Sequence, residues 1–283
     1  MSDFTVATMS SSLSESADSA SMPPTEQPPL TPADRGPCAY PLVGKVAVVT
    51  AASRGIGRAV ARRLAADGAA VVVNWHTSAT AAREVVAGIA DAGGRAVAVR
   101  ADLGDRGGPE ALFTAAEETF GGVDILVNNA GITAVAPTAD LDEDTFDRLF
   151  AVNVRGTFLA LRLAARRLRD GGRIVNISTG YTLATYPNVG VYAGTKAAVE
   201  QMARSLSREL GPRRITVNTV LPGLVDTDGL SADVRANLDA FVAATPLGRI
   251  GEARDIADVV AFLAGDDARW VTGQAIVAAG GLV

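Results

Sequence analysis

Seven short apolar runs, separated by stretches of helical periodicity, constrain this chain more than any other feature. Val46 to Thr50, Ala70 to Val73, Ala96 to Val99, Ile125 to Asn128, Ile174 to Ile177, Ile215 to Val220 and Ala275 to Val277 are brief and mostly β-branched. Such runs read as strands covered on both faces, because a half-exposed strand alternates apolar with polar residues. Between them apolar residues recur three and four apart, as in Ile56, Val60 and Leu64 or in Leu112, Ala115, Ala116 and Phe120. That spacing marks helices with one buried stripe. Gly68, Gly93, Gly121, Gly171 and Gly211 stand where such helices end on a left-handed residue. Successive strand, helix, strand units with right-handed crossovers give an α/β fold: a doubly wound, seven-stranded parallel sheet with helices on both faces. Sheets of this kind take their ligands at the carboxyl ends of the strands.

With 283 residues and 48% hydrophobic side chains, the chain has enough apolar material for one domain of ordinary size, assigned to residues 41–283. Residues 1–40 are rich in Ser, Thr and Pro with few large apolar groups, so they read as a disordered tail. A net charge of -5 with both signs interleaved gives no basic stripe, which argues against nucleic acid as a partner and for a small molecule. No apolar run reaches membrane-spanning length and the first residues lack a secretory pattern, so the expectation is a cytoplasmic protein without a membrane partner. Cys38 and His76 are the sole residues of their types, which rules out a disulfide framework or a Cys/His metal cluster within the chain. Any catalysis falls to other residue types.

The first strand runs into Thr50-Ala51-Ala52-Ser53-Arg54-Gly55-Ile56-Gly57 and then a helix. Glycines there let backbone approach a pyrophosphate, and the helix N-terminus supplies amide donors. A tight strand-to-helix turn with no ligand uses the same residues. Further along, Tyr192 precedes Lys196 by four positions in a helical segment from Val191 to Leu210, so both lie on one face. A neighbouring ammonium favours the ionised phenol, which brings it toward a range where it exchanges a proton at neutral pH.

Together these residues resemble the short-chain dehydrogenase/reductase family, whose turn is Thr-Gly-x-x-x-Gly-x-Gly; here Ala51 replaces the first glycine. The resemblance runs from about Leu42 to the last residue. It implies a Rossmann-like domain, a nicotinamide cofactor and a homotetramer or homodimer. It also assigns roles: Tyr192 as the proton-exchanging acid, Lys196 as its tuning partner and ribose contact, and Asn153 in Val152-Asn153-Val154 as the holder of a water on the proton path. The family's substrate-orienting serine falls 13 positions before the tyrosine, which lands on Thr179, with Ser178 as the fallback. Strand alternation points Ser178 to the other face.

For the cofactor, the resemblance implies the turn residues Ala51, Ser53, Arg54, Gly55, Ile56 and Gly57, the adenine-contacting pair Asp102-Leu103, and Asn129-Ala130-Gly131 after the fourth strand. Tyr192 and Lys196 also contact it, as do Pro222, Gly223, Val225 and Thr227 after the sixth strand. Asn74-Trp75-His76 ends the second strand without the Asp or Glu that accepts the ribose hydroxyls of NAD. Arg54, with His76 and the hydroxyls of Thr77 and Ser78, suits a 2'-phosphate, so NADP(H) is favoured over NAD(H). The branch it most resembles is the 3-oxoacyl-carrier-protein reductases, including ketoreductases of secondary metabolism. The implied function is NADPH-dependent reduction of a ketone to an alcohol. Two alternatives stay open: an alcohol dehydrogenase working oxidatively, and a cofactor-binding regulatory subunit without turnover. Tyr181 and Tyr186 lie in the stretch before Tyr192 and either stack a flat substrate or pack ordinarily.

Overall fold

A computed structural model describes residues 41–184 and 186–283, so the tail expected at 1–40 lies outside the described residues. Seven strands form one parallel sheet: β1 (Val46–Val49), β2 (Ala70–Trp75), β3 (Arg95–Arg100), β4 (Val123–Asn128), β5 (Leu168–Ile177), β6 (Thr216–Pro222) and β9 (Ala275–Ala278). Their spatial order is β3-β2-β1-β4-β5-β6-β9, with every neighbouring pair parallel. Two-residue strands β7 (Val225–Asp226) and β8 (Gly251–Glu252) pair separately beyond the carboxyl end of β6.

The central strands are buried on both faces as expected, whereas the edge strands β3 and β9 stay partly exposed. Ala47 and Val49 of β1 face one way, into a core shared with helices α1 (Gly55–Ala66), α2 (Ala79–Asp91) and a late helix, Ala253–Ala264. Val46 and Val48 face the other, into a core with α3 (Gly108–Phe120), α5 (Thr157–Arg167) and α6 (Gly190–Glu209). Strand alternation therefore distributes one apolar run between two layers of helices. Sheet order reverses at β1, whose neighbours are β2 and β4. The crevice that opens there at the strands' carboxyl ends is where such sheets bind ligands.

Two of the five glycine stops behave differently from expectation. Gly171 has a φ of 76° but lies inside β5, which starts at Leu168 because Leu168 pairs with Val123 before the register shifts. Gly211 opens a short 3-10 turn, and the left-handed residue after it is Arg214, with φ 55°. The helix holding Asn153 also departs from α geometry. Between α4 (Glu143–Leu149) and α5 the backbone forms a π-helical turn over Phe150–Gly156, an irregularity that side-chain periodicity does not encode.

Candidate active site

The carboxyl ends of β1, β2 and β4 build the glycine-rich turn. Thr50 is saturated: its hydroxyl donates to the Val127 carbonyl at 3.3 Å and accepts from the Asn129 and Ala130 amides, each at 2.9 Å. Asn74 is buried and its side chain points into the protein. Its Oδ1 accepts from the Ala51 amide at 2.9 Å, and its Nδ2 donates to the Ala101 carbonyl at 3.1 Å. Asn74 thus holds the turn in shape, with both of its polar side-chain atoms bonded to backbone. Asn129 does the same from the other side, donating to the carbonyls of Thr50 and Ala51 at 3.0 and 3.3 Å.

Ala51 adopts φ 49°, the left-handed region, where an L side chain is strained. Its hydrogen bonds to Asn74 and Asn129 on either side hold that conformation. Gly57 permits α1 to start against the turn, since a Cβ there would stand 2.4 Å from the Ala51 carbonyl oxygen and 2.5 Å from Asn129 Nδ2. Ser53 is buried within the turn, and Ile56 packs against the core. Arg54 is exposed at the N-cap of α1, and among the described residues its guanidinium has no ion pair. Across the mouth lies the segment after β6: a Cβ on Gly55 would touch the Thr227 side chain at 3.4 Å, and Gly223 packs closely on Ala279. Val225 is buried in β7.

At the ends of β2 and β3, Trp75 is half-buried beneath the Arg100 guanidinium, 5.8 Å above its ring. Asp102 accepts from the Gly104 amide at 2.8 Å and from Arg148 at 2.9 Å, and His76 Nε2 lies 3.8 Å away. Burial opposes ionisation of Asp102, but the Gly104 amide, Arg148 and His76 together hold its pKa below the usual carboxylate range. Leu103 is buried in the core on the α3 side of the sheet.

The other half of the site is where β5 meets α6. Thr179 and Thr133 hydrogen-bond the Tyr192 hydroxyl, while Ser178, against the strand alternation expected of it, meets the same helix two turns further on and donates to Glu200 Oε1 at 2.5 Å. Of the two hydroxyl residues, Thr179 is therefore the one at the tyrosine. Burial pushes the Tyr192 pKa up; the two threonine hydroxyls act against that and the neighbouring Tyr181 adds to it. The net direction is upward, with burial the largest influence on the phenol. Lys196 is buried and donates to the Ile177 carbonyl at 3.0 Å. A phenol held protonated is a proton donor at neutral pH, which is the state a reduction requires.

Asn153 sits in the π-helical turn, 1% exposed, and clamps the loop after β4: Oδ1 accepts from the Ile132 amide and Nδ2 donates to the Ile132 carbonyl, both at 2.9 Å. Its Nδ2 also reaches Thr195 Oγ1 at 3.0 Å, and that hydroxyl donates to the Tyr192 carbonyl. Gly131 leaves room for Lys196, whose Nζ would stand 2.9 Å from a Cβ at that position. Ala130 packs on the core, and Pro222 closes β6 beside Gly180. Tyr181 makes edge contacts with both Tyr186 and Tyr192, at 5.1 and 6.5 Å between ring centres.

Sequence reasoning missed Thr133, Thr195 and Glu200. Thr195 lies inside the Tyr192-to-Lys196 interval, so its spacing was a usable signal; nothing local marks Thr133, a loop residue that folding brings to the phenol. Among the described residues no three His, Cys, Asp or Glu side chains group to hold a metal ion, and no helix is long and apolar enough to cross a membrane.

A family model described as Enoyl-(Acyl carrier protein) reductase matches residues 50–283. An uncharacterized oxidoreductase of Methylorubrum extorquens is 49% identical over 244 residues, covering 85% of this chain and 98% of the relative. A hydroxynaphthalene reductase-like protein of Metarhizium majus is 43% identical, covering 86% of this chain and 96% of its own length. Among solved structures, the angucycline C-6 ketoreductase LanV with bound NADP superposes with a TM-score of 0.82 at 43% identity, covering 86% of this chain and 97% of LanV.

Proposed function

Since the chain belongs to the short-chain dehydrogenase/reductase family, we propose that it is an NADPH-dependent ketoreductase in which Tyr192 protonates the carbonyl oxygen of a ketone while Thr179 orients it. The observation that carries this reading is the Tyr192 hydroxyl, kept protonated by burial and hydrogen-bonded to Thr179 at the carboxyl end of β5. Bound NADPH supplies the hydride. The chain's residues fit that cofactor: the turn leaves no room for a side chain at Gly57, the first amides of α1 point to a pyrophosphate site, and the exposed Arg54 guanidinium, without an ion pair among the described residues, suits a 2'-phosphate. LanV, a similar protein, holds NADP.

Lys196 holds positive charge beneath the site, and Asn153 fixes the loop that shapes the ribose side. Residues 41–283 act as one domain. For the substrate we favour a planar aromatic ketone. Tyr181 stands edge-on to both Tyr186 and Tyr192, giving an aromatic wall beside the phenol, and the Metarhizium relative is named for a hydroxylated naphthalene. The protein assembles as a homotetramer through α4 and α5, where Phe146 and Phe158 are exposed beside a cavity of about 730 Å³ lined by Phe150, Val154 and Met202. We place it in the cytoplasm, where its single cysteine stays reduced.

The test is NADPH oxidation, followed by absorbance, against fused-ring aromatic ketones and against aliphatic 3-oxoacyl thioesters. Faster turnover of the aromatic series, lost in Tyr192→Phe, supports the reading. Cofactor binding without oxidation on either series overturns it.

A further inference from the structure

Three consecutive residues at the end of β5 each hold a different turn of α6. Thr179 reaches Tyr192, the Ile177 carbonyl accepts from Lys196 Nζ at 3.0 Å, and Ser178 Oγ donates to Glu200 Oε1 at 2.5 Å. Tyr192, Lys196 and Glu200 are four residues apart in turn, so they form one stripe of the helix. The first two are accounted for by the reaction; Glu200 is not.

Its burial demands an account. Glu200 is 6% exposed and Lys196 is 5% exposed, and a charge so far from water persists only when it is paired and hydrogen-bonded. The hydrogen bond that Glu200 receives comes from a neutral hydroxyl, Ser178, itself buried. The opposite charge on the same buried stripe is Lys196, one turn back, on which Glu200 acts through space.

The converse holds for the lysine. Burial pulls the Lys196 pKa down to about 8, and the group that opposes this pull is Glu200. The other polar groups of the site do not replace it. Tyr192 and Tyr181 are phenols whose own pKa values burial has raised. Asn153 of the π-helical turn is neutral and engaged with Ile132 and Thr195, and Arg155 of the same turn bonds the Gly104 carbonyl. From the β4 side the lysine meets Gly131, and from β5 the Ile177 carbonyl.

We propose that Glu200, anchored by Ser178, is a positioning residue: it is the counter-charge that keeps Lys196 an ammonium, directed at the end of β5, in the pH range where the enzyme works. The inference rests on the reading of Lys196 as part of the reductase site, yet its direct test does not need turnover.

The sequence contains two lysines, Lys45 and Lys196, so a protein labelled with 13Cε-lysine gives two resonances, assigned by Lys45→Arg. In the cofactor-free wild type the Lys196 signal titrates at about pH 8. In Glu200→Gln the midpoint falls by about one pH unit, because the favourable charge is gone and the burial remains. Ser178→Ala, which keeps both charges but frees the carboxyl, shifts it in the same direction, and Ser178→Thr restores it. The alkaline limb of kcat/KM follows each midpoint downward. Should Glu200→Gln not fold, the Ser178 pair carries the test alone. A Lys196 midpoint unchanged in Glu200→Gln, or in Ser178→Ala if only that variant folds, overturns the proposal. A wild type that turns over no ketone instead overturns the functional reading and leaves the titration result standing.

Discussion

The Tyr192 hydroxyl is hydrogen-bonded by Thr179, the residue 13 positions before it, while the preceding Ser178 bonds Glu200. Thr179→Ser keeps the oxygen and is expected to stay within a few-fold of wild-type kcat. Thr179→Ala removes it and lowers kcat by about 10²-fold, in the range for a group that orients a reacting oxygen. Steady-state kinetics on one ketone measure both. A Thr179→Ala variant with wild-type kcat would move the role elsewhere.

Ala51 is held at φ 49° by Asn74 and Asn129. Glycine pays no steric penalty there but loses more entropy on folding, so the two effects partly cancel. Ala51→Gly is expected to stabilise the fold by about 0.5–1 kcal/mol, measured by urea unfolding. Destabilisation would show that the side chain makes a compensating contact.

Arg54 is exposed at the start of α1 without an ion pair among the described residues. If it grips the 2'-phosphate, Arg54→Ala raises KM for NADPH by about 10-fold to 100-fold, the equivalent of one charge-assisted hydrogen bond. KM for NADH stays unchanged, because NADH has no such phosphate. Equal losses with both cofactors would assign Arg54 to the turn's structure.

Asp102 is held ionised by the Gly104 amide, Arg148 and His76 in spite of its burial. Its folded pKa lies below the unfolded one, so its contribution is present above about pH 4 and is lost as pH falls through the folded value. The stability gap between wild type and Asp102→Asn is therefore largest near neutrality and closes in acid. Denaturant midpoints at pH 7 and pH 3 check this; a gap that widened at pH 3 would reverse the sign.

Phe158 on α5 and Phe146 on α4 are 46% and 42% exposed. A charge within an apolar interface is costly, so Phe158→Glu is expected to convert the assembly to smaller species by light scattering, with little change in the melting temperature of the subunit. Identical mass for both proteins would place the interface elsewhere or make the protein a monomer.

Strand identity was legible because burial on both faces leaves a local trace: β1, β2 and β4 carry runs of Val, Ile, Leu and Ala that no half-exposed strand would show. The Tyr192 and Lys196 stripe was legible for the same reason, since helical spacing is a property of neighbours in sequence. Turn chemistry was partly so. Ala51 stood out as a departure, but the sign of its φ depends on hydrogen bonds from Asn74 and Asn129, 23 and 78 residues away.

By itself, then, the amino-acid order determined the layered α/β architecture, the glycine turn and the one-sided placement of phenol and ammonium, all of which follow from short-range periodicity and backbone sterics. Only tertiary structure decided what those groups feel. Burial is the largest influence on the phenol; Thr133 reaches it from another loop; and Glu200 becomes the counter-charge of Lys196 because β5 seals that face of α6 from water. Desolvation and long-range contacts are produced by packing, so no local reading of residues contains them.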